Sequence, residues 1–148
     1  MIASTMIVAT LALFLFLLPF RYRFAFVRTF AVMNVSLLQH LCGLNYEIEG
    51  QENIPEGTAI IFSKHQSTWE TMALQLIFPH QTFVVKRELM WVPFFGWGLA
   101  VLKPIAIKRG SGRSAIKQVV RQGIDRLKAG IWVVIFPEGT RVRPGQRV

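Results

Sequence analysis

The chain has 148 residues, a formal net charge of +9 and 52% hydrophobic side chains, room for one domain and little more. Its pI near 10.7 points to an anionic partner, whether nucleic acid, anionic lipid or a phosphate-bearing substrate. The single cysteine, Cys42, excludes an internal disulfide, and no Cys/His cluster has zinc-site spacing. Cys42 is expected to pack as a small apolar residue, in keeping with a reducing compartment.

The mean hydropathy, +0.40, is unevenly spread. Residues 1–20, MIASTMIVATLALFLFLLPF, carry no charge. A helix of about 20 residues is roughly 30 Å long, the thickness of the hydrocarbon core, so this segment is expected to span or enter a bilayer. It lacks the basic start and A-x-A site of a cleaved signal. Arg21, Arg23 and Arg28 follow it, which by the positive-inside bias keeps that end in the cytoplasm. Residues 24–44 are apolar but interrupted by Arg28, Asn34, Gln39 and His40. They read as an interfacial helix or the returning arm of a hairpin rather than a second full span, ending at Gly43 and Asn45.

Beyond the anchor the pattern changes. Residues 57–63 read as a buried strand, 68–78 as a helix, 81–86 as a second strand. Residues 88–102 are aromatic and broken by Pro93, Gly96 and Gly98. Residues 104–109 form a third strand. Residues 111–130 read as a helix whose apolar stripe, Ile116, Val119, Val120, Gly123, Ile124 and Leu127, has helical spacing. Its Lys117, Arg121 and Lys128 suit a solvated face, anionic lipid or an acidic carrier. The fourth strand, 131–136, has no polar residue, as a strand covered on both faces requires. Strands alternating with helices predict an α/β fold: a mixed, mostly parallel sheet flanked by helices, behind a membrane-anchoring helix or two-helix hairpin.

Three strand ends carry groups able to do chemistry, and in a parallel sheet ligands lie beyond the carboxyl ends of the strands. After the first strand comes Lys64-His65-Gln66-Ser67-Thr68-Trp69-Glu70. A neutral imidazole at His65 can take a proton from an alcohol near neutral pH, and Glu70 can orient it if His65 lies in the loop and Glu70 in the first helical turn, after an N-cap at Ser67 or Thr68. The same Ser67-x-x-Glu70 is also a capping box, in which Glu70 binds only the Ser67 N–H; both readings stand. After the fourth strand comes Phe136-Pro137-Glu138-Gly139-Thr140-Arg141. There Gly139 permits close backbone approach, Thr140 can donate a hydrogen bond, and Arg141 can grip a phosphate. After the third strand, Lys108 and Arg109 can converge with Arg141 on one dianion. The basic residues lie at strand ends and beside the anchor, and the aromatics cluster with Pro and Gly, a distribution unlike a nucleic-acid surface.

Residues 45–148 resemble the 1-acylglycerol-3-phosphate acyltransferase family. SKHQSTWE resembles its His-x4-acid motif; Lys86-Arg87-Glu88-Leu89 through VPFFGWG to Ile107-Lys108-Arg109 resembles its middle block; FPEGTR is similar to its most specific signature. The hydropathy pattern gives a membrane anchor over 1–44, and the resemblance implies an acyltransferase domain over 45–148 that lacks its C-terminal part, since the family continues past FPEGTR. It implies His65 as the base that deprotonates a lysophospholipid hydroxyl, Glu70 as its holder, and Arg109, Glu138, Gly139, Thr140 and Arg141 at the acceptor's phosphate, with Lys86 and Lys108 as further contacts. The acid is more often Asp in the family; Glu70 is one methylene longer. The implied reaction converts 1-acylglycerol-3-phosphate (lysophosphatidic acid) to phosphatidic acid with acyl-CoA or acyl-carrier protein as donor, no metal and no cofactor, on the cytoplasmic face of a membrane. The alternatives are another acceptor, such as a lyso-ornithine lipid, and a truncated, non-catalytic lipid-binding protein.

Overall fold

The computed structural model describes residues 6, 7, 10, 11, 14–143, 145 and 146. The expected span over 1–20 thus lies partly outside the described residues. Its last part is a turn over residues 15–17, after which Pro19 starts helix α1, Phe20–Cys42. The chain stops α1 with Gly43 in the left-handed region at φ 66°, and the N–H groups of Gly43 and Leu44 cap the Gln39 and Leu38 carbonyls, as a Schellman ending does.

The interruptions in 24–44 do not break α1, because each polar group finds a partner. Arg28 donates from Nε to the Gln75 carbonyl at 3.0 Å and from Nη2 to the Leu76 carbonyl at 3.4 Å. Asn34 donates to the Phe30 carbonyl at 2.7 Å, and His40 Nδ1 meets the Ser36 carbonyl at 2.7 Å. By length and composition Phe20–Cys42 is long and apolar enough to cross a membrane, a property that an interfacial helix or a hairpin arm of this length shares. One face, with Phe24, Ala31 and Val35, is buried, Ala31 and Val35 packing with Met72. The opposite side leaves Val32, Met33, Leu37 and Leu41 exposed. Cys42 is exposed as well, contrary to its expected burial, since it falls in the last turn beyond the buried stretch.

The remaining elements alternate. They are β1 Ile60–Phe62, α2 Trp69–Ile77, β2 Gln81–Lys86, a 3-10 turn Arg87–Trp91, α3 Phe95–Val101, β3 Ile105–Ile107, α4 Arg113–Lys128 and β4 Trp132–Ile135. The strands form one sheet in the order β1-β4-β2-β3, every pairing parallel. Its core is Ile61, Leu74, Phe83, Trp132 and Val134. β4 is central and buried as its composition required. β1 is an edge, and against the expectation of a buried strand it leaves Ile60 and Phe62 exposed, because among the described residues it pairs only with β4.

The helix expected from the apolar stripe forms as α4, but the stripe is only partly buried. Gly123 is buried and Val119 and Leu127 are half-buried, but Ile116, Val120 and Ile124 are exposed. The helix is rotated so that Gln118 donates to the Ala106 carbonyl on β3 at 2.9 Å and Arg126 Nε to the Lys103 carbonyl at 2.9 Å. Those polar anchors hold a face that hydrophobicity alone would have turned outward.

Candidate active site

The strand order puts the carboxyl ends of β1 and β4 side by side, in register from Ile60–Val133 to Phe62–Ile135. The two blocks that follow them therefore meet. The His65 ring stacks on Phe136 with centroids 4.3 Å apart and planes 20° from parallel. The Val142 N–H donates to the His65 carbonyl at 2.8 Å, tying the loop after FPEGTR to the histidine loop. β2 and β3, paired from Val84–Ile105 to Lys86–Ile107, bring Lys86 and the Lys108-Arg109 end to the same edge of the sheet.

His65 lies in the loop and Glu70 in the first turn of α2, the arrangement the pair needs. Glu70 Oε1 accepts from His65 Nδ1 at 2.7 Å, from the Gln66 N–H at 2.7 Å and from the Ser67 N–H at 2.8 Å. Oε2 accepts from the Ser67 hydroxyl at 2.6 Å, whose oxygen in turn accepts from the Trp69 N–H at 3.0 Å. The capping box and the acid–histidine pair are thus not alternatives: the carboxylate that closes the helix start also holds the imidazole. The N-cap residue, Thr68, makes no side-chain cap bond; Ser67 supplies the local hydroxyl instead.

Burial acts to raise the Glu70 pKa, but the Ser67 hydroxyl and N–H and the His65 bond together outweigh it and lower the carboxyl from 4.5 to about 2. At neutral pH Glu70 is therefore an acceptor only. The proton shared with His65 must then sit on Nδ1, which leaves Nε2 as the basic nitrogen. The depressed pKa also makes a stability prediction. The contribution is fully present above the unfolded value near 4.5 and is lost as pH falls toward 2. With solvent screening at this partly exposed group it amounts to roughly 1–2 kcal/mol. Thermal unfolding in detergent between pH 5 and 2.5 checks it: the Glu70→Gln variant loses less stability over that window than the parent chain, and equal losses would refute the assignment.

A cavity of about 340 Å³ opens beside His65. Its wall is mostly apolar, with Val27 and Phe30 from α1, Met72 from α2, Phe83 from β2, and Leu89, Phe95, Leu99 and Leu102 from the segment between β2 and β3. Its polar lining includes His65, Thr68, Lys86, Arg109 and Arg141, with Gly139 beside them. Among the residues singled out from the sequence, His65, Lys86, Arg109, Gly139 and Arg141 are brought together on this cavity. Lys108, Glu138 and Thr140 do not line it, and Glu70 stands behind His65. Glu138 Oε2 is buried with no hydrogen-bond partner among the described residues. Gly139 adopts φ 64°, and its N–H donates to the Phe136 carbonyl at 3.0 Å, closing the turn after β4. Among the described residues no group of three His, Cys, Asp or Glu side chains gathers as metal ligands.

Sequence reasoning missed two contributors. The sequence offers Ser67 as a cap, and the same S-x-x-E spacing also puts its hydroxyl within reach of the acid. In the sequence Phe136 ends the fourth strand and opens the FPEGTR block, with no sign of a contact to His65; only the pairing of β1 with β4 puts its ring there.

The profile of the Acyltransferase family matches residues 45–148. A 1-acyl-sn-glycerol-3-phosphate acyltransferase of Pseudomonas aeruginosa is 50% identical over 146 residues, 97% of this chain and 57% of that protein. One from Saccharomyces cerevisiae is 32% identical over 108 residues, 71% of this chain and 35% of that protein. The crystal structure of the 1-acyl-sn-glycerophosphate (LPA) acyltransferase PlsC from Thermotoga maritima superposes with a TM-score of 0.70 at 25% identity, covering 94% of this chain and 56% of that one. The chain thus spans little more than half the length of these bacterial relatives, and about a third of the yeast one. With the motif blocks in one order, one parallel sheet and one site at its carboxyl edge, this chain belongs to the acyltransferase family.

Proposed function

We propose that the chain transfers a fatty acyl group from acyl-CoA or acyl-carrier protein to the free hydroxyl of 1-acylglycerol-3-phosphate, giving phosphatidic acid at the cytoplasmic face of a membrane. The observation that carries this reading is the His65–Glu70 pair on an apolar cavity that also holds Arg109 and Arg141. A hydrocarbon chain suits the Phe and Leu walls, and two guanidinium groups suit a phosphate.

In this reading Nε2 of His65 removes the proton from the acceptor hydroxyl as its oxygen attacks the thioester carbonyl. Glu70 stabilises the imidazolium that forms. Collapse of the tetrahedral adduct breaks the C–S bond, and the imidazolium proton passes to the departing thiolate. Atoms balance without a metal or an acyl-enzyme. The names of the relatives support the acceptor.

The test uses the chain in vesicles with a labelled acyl-CoA, presenting 1-acylglycerol-3-phosphate or its phosphate-free counterpart, monoacylglycerol. Transfer is expected to the phosphorylated acceptor; equal transfer to both overturns the phosphate reading. Arg141→Ala is expected to raise the KM for the phosphorylated acceptor about 10- to 100-fold, the loss of a charge-assisted hydrogen bond or two, with the KM for the acyl donor little changed. A rise in the donor KM alone would reassign Arg141.

A further inference from the structure

The segment between β2 and β3 has an outer side that the site does not use. Trp91 is 79% exposed, and Val92 and Trp97 are exposed with it. A contiguous apolar patch of this kind marks a surface that meets a partner or a membrane. Indole rings, apolar with one N–H donor, favour the boundary between lipid and water.

The turn is built rather than slack. Phe94 sits at φ 62°, a conformation a bulky residue keeps only where its surroundings enforce it. Hydrogen bonds from Phe95 to the Pro93 carbonyl at 2.7 Å, from Gly96 to Val92 at 2.8 Å and from Gly98 to Phe94 at 2.9 Å lock it. A Cβ on Gly96 would lie 2.3 Å from the Met90 carbonyl oxygen, so only glycine allows the 3-10 turn and α3 to close on each other. The Phe94 and Trp97 rings pack with centroids 5.0 Å apart.

Two further observations identify the occupant. The inner side of the same segment, Leu89, Phe95 and Leu99, lines the cavity whose other wall is Val27 and Phe30 of α1. The aromatic turn therefore stands across the cavity from a helix apolar and long enough for a membrane, whose other side is also exposed and apolar. Lys86 and Arg87 precede the turn and Lys103 follows α3, all three exposed, with Glu88 the one acid between them. That charge suits anionic headgroups around an inserted apolar tip.

We propose that residues 87–101 form a second membrane-contacting element, which seats Trp91 and Trp97 in the headgroup region of the same bilayer as α1 and sets the cavity between the two contacts. The proposal concerns a surface and does not depend on which acyl acceptor the site takes.

The chain has four tryptophans; Trp132 is in the core, and Trp69 packs against Tyr46. The full chain is placed in phosphatidylglycerol-containing vesicles, with or without bromine on the lipid acyl chains, and tryptophan fluorescence is read. Brominated lipid is expected to quench the parent chain and the Trp69→Phe variant alike, and the Trp91→Phe/Trp97→Phe variant is expected to lose most of that quenching. These are exchanges of exposed rings for smaller rings, so the fold is kept. Quenching that survives in the double variant, or no quenching in the parent chain, overturns the proposal; the second result is the one expected if another protein surface, including a second copy, covers the turn.

Discussion

Replacing His65 by alanine is expected to lower acyl transfer by about 10²- to 10⁴-fold, the usual worth of a general base, while vesicle flotation shows the chain still on the membrane. The reasoning is geometric. The Glu70 bond fixes the proton on Nδ1 and leaves Nε2 free, and the ring lines the cavity. α1, which carries the apolar surface, packs its buried face on α2 around Met72, and its fold does not depend on the imidazole. Activity and membrane association should therefore separate cleanly. Unchanged turnover in His65→Ala would remove His65 from the reaction.

Glu70→Ala is expected to lower turnover over a similar range, about 10²- to 10⁴-fold, for two reasons that a pair of variants separates. The alanine removes the acceptor of the Gln66 and Ser67 N–H groups as well as the partner of His65, so the loop loses its anchor and the imidazolium loses its counter-charge. Glu70→Gln keeps an oxygen that can accept those N–H groups but carries no charge. It should therefore fall between the parent and the alanine variant. For a residue acting through His65, the loss appears in kcat, with the acceptor KM within a few-fold of the parent. A glutamine variant at parental rate would show that only the capping role matters.

Much of the site was legible because its parts are local. The His-x4-acid spacing needs only a loop, one hydroxyl-bearing cap region and the first turn of α2, all within residues 65–70. The alternating runs fixed the elements to within a few residues, since strand and helix patterns are short-range properties. What stayed ambiguous in the sequence was the role of Glu70. Capping and histidine contact use the same oxygens, and only the folded structure shows Oε1 serving three donors at once.

The faces of helices were less legible. Ile116, Val120 and Ile124 have the spacing of a buried stripe, yet they are exposed, because the hydrogen bonds of Gln118 and Arg126 to β3 and the loop before it set the rotation of α4. In α1 the helix itself was legible, but not the partner of its Arg28, which donates to the carboxyl end of α2, far along the chain.

By itself, then, the sequence determined the α/β alternation, the apolar N-terminal region, the family motifs and the identity of the residues at each strand end. The tertiary structure decided that these ends share one site. Parallel pairing in the order β1-β4-β2-β3 joins segments with no local reason to meet, and from it follow the stack of Phe136 under His65 and the meeting of Arg109 and Arg141 on one cavity. Pattern and propensity act over a few residues, whereas strand order is set by which distant surfaces bury each other best.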